Sequence, residues 1–471
     1  MQFIVPHRDR LPPGAIELAY LANLEESPYR THASWQGDRL TLDRAETESG
    51  TVTIPWLSGA GSPLALSTGT LVERTRPYVL PVELARGTVH RLRSYAFAWQ
   101  SLGLVVPDGF AGLLHQVLET FARAATSQDR PADAAQLAEQ ALDLAILASG
   151  SLCAAYGEQS VPARKNAASR APFLIGVSLD EQAPDRPLAE SVLAACNTLS
   201  VPFTWRRIEP TENARDWQPC DAQIDWCRAR QVRVCGGPLV RLGADALPGW
   251  LDPGAGFDAV MTKIERYLFA VVERYAGRVH LWNCAAGLNT ATGLAVTEEQ
   301  RLRLAVRAIE IVRAADRNTP IIFTLDQPWG EYLRDERRQL SPIHLADVLV
   351  RGDVGLSGFG LRINIDLTRG ATLPRDVLEI SREMDRWSVF NLPLLIELTL
   401  PQKTMPAGES EQAWLERVIP VLLGKPAVQA IFWGQLSDGG NSEFPDRGLF
   451  DRQGDAKPAF HAFSTIRRLV E

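Results

Sequence analysis

The segment RVHLWNCAAGLN at 278–289 runs from apolar residues into Trp282, Asn283 and Cys284. An apolar run that closes on polar and reactive groups is how a barrel strand delivers side chains to a site. A carboxylate would be the ordinary proton-transfer group in that place, and a thiol is not. A second apolar run, PLLIELTLP, contains one glutamate, Glu397. A carboxylate inside a buried strand is costly without a partner, so Glu397 reads either as half of an ion pair, with an arginine such as Arg362, or as a site group. The run VQAIFWGQ contains Trp433, whose indole either packs in the core or floors a site by stacking on a pyranose ring. Cys284 as the nucleophile of unrelated chemistry would need a base. His280, four residues earlier in the strand, would lie about 13 Å away at strand rise.

Such groups need a scaffold that gathers strand ends. From residue 173 onward eight apolar segments recur, at 173–179, 200–205, 232–240, 278–283, 320–326, 356–365, 392–398 and 428–435. Amphipathic segments such as DAVMTKIERYLFAVVERYAG and TEEQRLRLAVRAIEIVRAAD separate most of them. Apolar strands alternating with helices predict a parallel sheet covered on both faces, and eight repeats over about 300 residues predict a (β/α)8 TIM barrel of the α/β class. The alternative is an open doubly wound sheet. No glycine-rich phosphate loop follows the first strand, which removes the usual reason for that alternative, and no cofactor is expected. In a barrel the site lies at the C-terminal strand ends. Those ends read Glu209 (second strand), Gly237 and Arg241 (third), Asn283 and Cys284 (fourth), and Asp326, Gln327 and Trp329 (fifth). Arg362, Asn364 and Asp366 follow on the sixth, Glu397 on the seventh, and Trp433, Gln435 and Asp438 on the eighth.

The chain before the barrel divides in two. Residues 1–90, with QFIVP, AIELAYLA, TVTIPWL and GTLVERTRPYVLPVELARG, predict a β-rich, sandwich-like domain. Residues 91–168 carry apolar residues at helical spacing and predict a helical connector, leaving 169–471 for the barrel. Composition sets the class: 471 residues, 45% hydrophobic and 22% charged, describe a globular protein with ample core. The charge balance of −7 argues against nucleic-acid binding. Six cysteines without a CxxC pair and seven scattered histidines predict buried free thiols and no metal site. The start, MQFIVPHRDRLPPGA, lacks the longer apolar core of a secretory signal. No unbroken apolar run approaches the roughly 18 residues of a membrane span, so a cytoplasmic protein without a membrane partner is expected.

Taken together the barrel segments resemble glycoside hydrolase family 10, the retaining β-1,4-xylanases, over about residues 170–471. IFWGQLSDGG followed by RGLFDRQGDAKPAFHAF is similar to that family's last strand, its tryptophan and its closing GLfD…KPAY segment. FTWRRIEP resembles the second-strand segment ending in Glu-Pro, and VRVCGGPLVR the third-strand vrGHtLvW. HLWNCA sits where the family has Trp-Asp-x-x-Asn-Glu, and LLIELTL where it has the iTElD of its nucleophile. The resemblance implies a retaining hydrolase-like protein for a β-1,4-linked, xylan-type glycan or oligosaccharide. Glu397 would be its nucleophile, Asn283 would bind the sugar's 2-hydroxyl, and Trp433 would line the reacting sugar's subsite. Glu209, Arg241, Arg362, Asn364, Asp326 and Asp438 complete the expected substrate-binding set.

The same resemblance places the acid/base position on Cys284. The family's third-strand histidine and tryptophan fall on Gly237 and Arg241, its sixth-strand glutamine and histidine on Arg362 and Asn364, and its second-strand lysine on Thr204. A thiol can donate a proton but lacks the tuned carboxyl pKa that two-way transfer favours. Two classes follow. One is a hydrolase whose acid is altered or relocated to Asp326, Glu331 or Asp438. The other is a catalytically inactive barrel that binds a saccharide or serves as a scaffold. For the N-terminal domain a carbohydrate-binding-like module is an analogy of architecture alone.

Overall fold

The computed structural model describes residues 1–44, 48–61, 63–166, 172–252, 254–290, 293–335, 340–368, 370–400, 410–439 and 445–471. The N-terminal strands are β1 (Gln2–Ile4), β2 (Tyr20–Ala22), β3 (Pro28–Tyr29), β4 (His32–Gln36), β5 (Arg39–Asp43), β6 (Thr51–Leu57), β7 (Pro63–Ser67) and β8 (Tyr78–Val79). They form two four-stranded sheets, β4-β5-β1-β8 and β3-β2-β6-β7. Phe3, Leu40, Leu42, Val52, Ile54, Trp56 and Leu66 from the two sheets share one buried core. The segment at 69–87, expected as strand, pairs over Tyr78–Val79 and at a single bridge from Leu71 to Gly50; Pro81 then opens a helix at its first turn.

That helix, α1 (Leu80–Ser101), is followed by α2 (Phe110–Thr126) and α3 (Pro131–Asn166). Leu80, Val82 and Leu84 of α1 and Ala134, Ala138 and Leu142 of α3 close the N-terminal core, so sheets and helices make one body. By length and composition α3 could cross a membrane, although charged residues interrupt its apolar sequence. Half of its most apolar stretch is buried in this fold, against α1, α2 and the barrel.

The barrel runs β9 (Leu174–Ser178), α4 (Arg186–Ala195), β10 (Thr198–Val201), α5 (Trp205–Ile208), α6 (Gln218–Ala229), β11 (Arg233–Gly236), α7 (Phe257–Tyr275) and β12 (Leu281–Ala286). It continues with α8 (Glu298–Ala315), β13 (Ile321–Asp326), α9 (Pro342–Arg351), β14 (Gly358–Asn364), α10 (Val377–Trp387), β15 (Leu394–Thr399), α11 (Glu411–Gly424), β16 (Val428–Trp433) and α12 (Pro458–Val470). All eight strands pair in parallel, and β16 closes on β9. The expected (β/α)8 barrel is the observed one.

Side chains alternate between the barrel interior and the layer under the helices. Cys235, Leu281, Ile322, Leu395, Ala430 and Phe432 fill the interior. Phe432 reaches across to β9, where a Cβ on Gly176 would lie 2.7 Å from its ring, so glycine makes room for the plug. Three strands differ most from expectation. β11 stops at Gly236 rather than 240. β10 stops at Val201, because Pro202 has no amide to donate and Trp205 already begins α5. β12 starts at Leu281 rather than 278, because Gly277, with φ 76°, turns the chain after α7. Asn283 and Cys284 are therefore in mid-strand.

The N-terminal part of the chain is docked on the barrel through α3, which packs on α11, and through contacts to α10. Val377, Leu378, Ile380, Met384 and Trp387 join the barrel's apolar core. Arg91 of α1 meets Asp376 at 2.9 Å and Glu379 at 3.2 Å, and Ala65 N donates to Pro374 O at 2.7 Å. Arg375, beside α10, pairs with Glu331 at 2.6 Å and donates to Tyr20 Oη at 3.0 Å, both acidic and basic side chains being almost wholly buried. Breaking a buried pair from one side costs about 3–5 kcal/mol because the other charge stays behind. Arg375→Met is expected to lower the unfolding free energy by that order. Adding Glu331→Gln should recover most of the loss, read as denaturant midpoints.

Candidate functional site

Ladder register builds the site. Asp326 on β13 pairs in register with Arg362 on β14, and Arg362 with Glu397 on β15. The row acid–guanidinium–acid thus lies across three adjacent strands, with the two acids' backbones about 10 Å apart at ordinary strand spacing. Arg362 donates to Asp326 with both ends of its fork, Nε at 2.7 Å from Oδ1 and Nη2 to Oδ2. Thr290 Oγ1 adds a bond to Asp326 Oδ2 at 2.9 Å. Glu397 accepts no hydrogen bond from any described residue, although it faces a cleft of about 760 Å³. Burial holds its carboxyl above the usual range, opposed by the positive charge of Arg362, reinforced by Asp326 and opposed again by Arg241.

The cleft wall above this row is mixed. Ser178 and Ser200 contribute hydroxyls, the latter already donating to Gly237 O at 3.1 Å, Arg241 and Arg362 guanidiniums, and Trp205 and Leu247 apolar surface. Arg241 also pairs with Asp245 at 3.3 Å in a half-exposed loop. Glu397 is the one acidic side chain among the described residues that line the cleft.

Cys284, expected as the acid/base replacement, is not in this site. It follows inward-facing Leu281 and Asn283 out of phase, and it is the extra residue where the β12–β13 register shifts between Asn283 and Ala285. Its side chain is fully buried in the apolar layer under the helices, and burial pushes the thiol far up. The end of β12 offers the mouth Ala286, followed by Gly287, instead of a carboxylate. Gly287 has φ 66°, and a Cβ there would lie 2.8 Å from Arg362 Nη2 and 2.9 Å from Asp326 Oδ2, so the Arg362–Asp326 pair occupies the space a side chain would need.

Other expected contacts are also committed elsewhere. Trp433 faces the outer layer, 1% exposed; its Nε1 donates to Arg447 O at 2.8 Å and its ring meets Phe463 edge-on. Its neighbour Phe432 takes the inward position, so Trp433 cannot floor the cleft. Asn283 does face inward, below the mouth, where it accepts from Thr324 Oγ1 at 3.1 Å. Asn364 accepts from Thr399 Oγ1. Glu209 is a buried anchor for its loop, bonded by Trp205 Nε1 at 3.1 Å, Asn213 N at 2.7 Å and Arg215 Nε at 3.3 Å. Asp438 pairs with Lys457 at 3.0 Å, and Asp366 with Arg447 at 2.6 Å. The structure therefore gathers Glu397, Arg362, Asp326 and Arg241, and adds Ser178, Ser200, Thr204 and Gly434, of which only Thr204 had been singled out. Serines at alternate positions of otherwise apolar strands were the available signal.

With the geometry in hand, the barrel can be compared with solved structures. The native xylanase 10B of Thermotoga maritima superposes with a TM-score of 0.50 at 17% identity, over 66% of this chain and 97% of that one. The xylanase 10B of Thermotoga petrophila RKU-1 in complex with xylobiose gives the same values. A thermostable mutant of the xylanase Xyn10A of Cellvibrio japonicus gives 0.50 at 16% identity, over 66% and 99%. No family model and no curated protein matches the sequence. The chain thus carries the fold of the glycoside hydrolase family 10 xylanases, preceded by a β-rich unit and helices.

Two outcomes follow from this arrangement. All six cysteines are free and buried. A small thiol reagent should label none of them in the native protein and all six after denaturation, and Cys284→Ala should leave ligand binding unchanged. Glu397 favours its protonated form in the folded state, so its stabilising share is complete below the unfolded pKa of about 4.3 and is lost as pH rises through the higher folded value. Glu397→Gln should therefore melt higher than the wild type at pH 8, with the difference closing toward pH 4.

Proposed function

We propose that this protein binds a β-1,4-linked, xylan-type oligosaccharide at the barrel mouth without hydrolysing it. The observation that carries the reading is the state of the carboxylates. Retaining hydrolysis needs two of them about 5–5.5 Å apart, one free to attack and one to protonate the leaving oxygen. Glu397 stands alone among the described residues lining the cleft, and Asp326 in the same row is held by both arms of Arg362. Binding asks less. The Glu397 carboxyl and the Ser178 hydroxyl can exchange hydrogen bonds with sugar hydroxyls, Ser200 Oγ, which already donates to Gly237 O at 3.1 Å, can accept, Arg241 donates, and Trp205 with Leu247 lines the apolar side. The xylanase folds with which the barrel superposes, one of them holding xylobiose, support a saccharide as the ligand class.

A hydrolase is the second reading, favoured by the nearness of Asp326, which raises the Glu397 pKa. The two part in one experiment. Xylotetraose should bind reversibly and be recovered intact, and Thr204→Trp, which fills the cleft from its rim, should abolish binding. Aryl β-xylosides with activated leaving groups should not turn over, with or without azide. Azide-dependent turnover that disappears in Glu397→Gln would establish the hydrolase instead.

A further inference from the structure

The barrel mouth carries more positive charge than a neutral sugar calls for. Three charged side chains line the cleft among the described residues: Arg241, Arg362 and Glu397. Glu397 favours its neutral form through burial, and Arg362 has given the Nε and Nη2 edge of its fork to Asp326. Arg241 is the guanidinium whose bonding capacity is still open.

Its backbone is set by the barrel wall. Beyond β11 the chain passes Gly237 and Pro238 and runs beside β12 again, where Val240 N donates to Cys284 O at 3.2 Å and Ala286 N to Val240 O at 3.0 Å. Arg241 is the next residue. Its side chain lines the cleft, close enough to Glu397 for its charge to act against the rise in that carboxyl's pKa. Asp245 Oδ2 lies 3.3 Å from Arg241 Nη1, an i,i+4 contact between side chains 28% and 32% exposed. Solvent-exposed pairs of this kind contribute little. The contact also leaves Nε and Nη2 with no hydrogen bond to any described residue. That is the edge Arg362 gives to a carboxylate, and its two parallel N–H groups match a planar pair of oxygens better than single hydroxyls. A carboxylate brought there meets little repulsion, since Asp326 is matched by Arg362 and Glu397 favours its protonated form.

We infer that Arg241 determines the specificity of the mouth and selects an acidic ligand: a xylan-type oligosaccharide carrying a uronic acid, whose carboxylate takes the open Nε and Nη2 edge of the guanidinium. The inference rests on the mouth reading and names its ligand more closely. Asp245 steadies the opposite side of the fork, while Ser178, Trp205 and Leu247 remain for the neutral sugars.

The test is calorimetric titration of the full chain with two ligands. One is xylotriose bearing a glucuronic acid branch, and the other is the same oligosaccharide with its carboxyl reduced to an alcohol. The acidic sugar should bind at least tenfold more tightly than the reduced one, with the preference shrinking as salt is added. Arg241→Gln should weaken the acidic ligand at least tenfold and the reduced one less than threefold. Arg241→Lys keeps the charge but not the fork, so it should retain only part of the preference. Arg241 is part-exposed, so both variants should fold as the wild type does. Equal binding of the two sugars overturns the inference, as does an equal loss of both in Arg241→Gln or no binding of the acidic sugar. In those cases the mouth reading still stands if xylotetraose binds and that binding disappears in Thr204→Trp. If the binding of every sugar survives Thr204→Trp, the mouth reading and this inference fall together.

Discussion

Arg362 stands in register between two carboxylates and gives its fork to one of them. That choice organises the barrel mouth. Asp326 is held from two sides by Arg362 and Thr290 and fixed in a wall, while Glu397 accepts no hydrogen bond from a described residue. A bidentate guanidinium–carboxylate pair is the strongest of the ordinary side-chain contacts, so the asymmetry is not readily undone by a sugar hydroxyl. The absence of a side chain at Gly287 belongs to the same arrangement, since the pair lies where its Cβ would project. A mouth built this way keeps polar groups for recognition and withholds the second free carboxylate that bond cleavage requires.

The same chemistry fastens the two halves of the chain. α10 turns its apolar face to the barrel core and its charged face to the N-terminal sheets, and both faces are buried. Arg91, Arg375 and Arg382 each answer a carboxylate across or beside that boundary. Glu383 is the exception: burial lifts it to about 7, with Arg386 and Arg382 acting against the rise. The boundary thus joins a charge-matched contact at α10 to an apolar one, where Leu92, Trp99 and Leu152 enter the same core as the barrel's outer layer.

The eight barrel strands were legible in order, because apolar segments separated by amphipathic helices leave little else for the chain to do. Their ends were not. A left-handed turn at Gly277 moves the fourth strand three residues on, and a shift in register at Cys284 carries that thiol under the helices. Between Phe432 and Trp433, adjacent and both aromatic, strand phase alone decides which one enters the barrel. Glu397 drew notice because a carboxylate in an apolar run needs either a partner or a task, and the fold gives its expected partner Arg362 to Asp326 instead. Glu209 and Asp438 were misjudged for the opposite reason: their partners Arg215 and Lys457 come from loops and segments whose approach only the fold creates. The start of α1 inside the expected β-rich region is a smaller case, where Pro81 was the overlooked signal.

The most direct test of the account asks whether Glu397 can attack a sugar at all. The protein would be incubated with a 2-fluoro-β-xylobioside bearing a dinitrophenyl leaving group, which needs no acid to depart, and the intact mass then measured. The account predicts an unchanged mass under conditions where xylotetraose binds. A stable adduct of one fluoroxylobiosyl group, mapped to Glu397, would show a working nucleophile and contradict it.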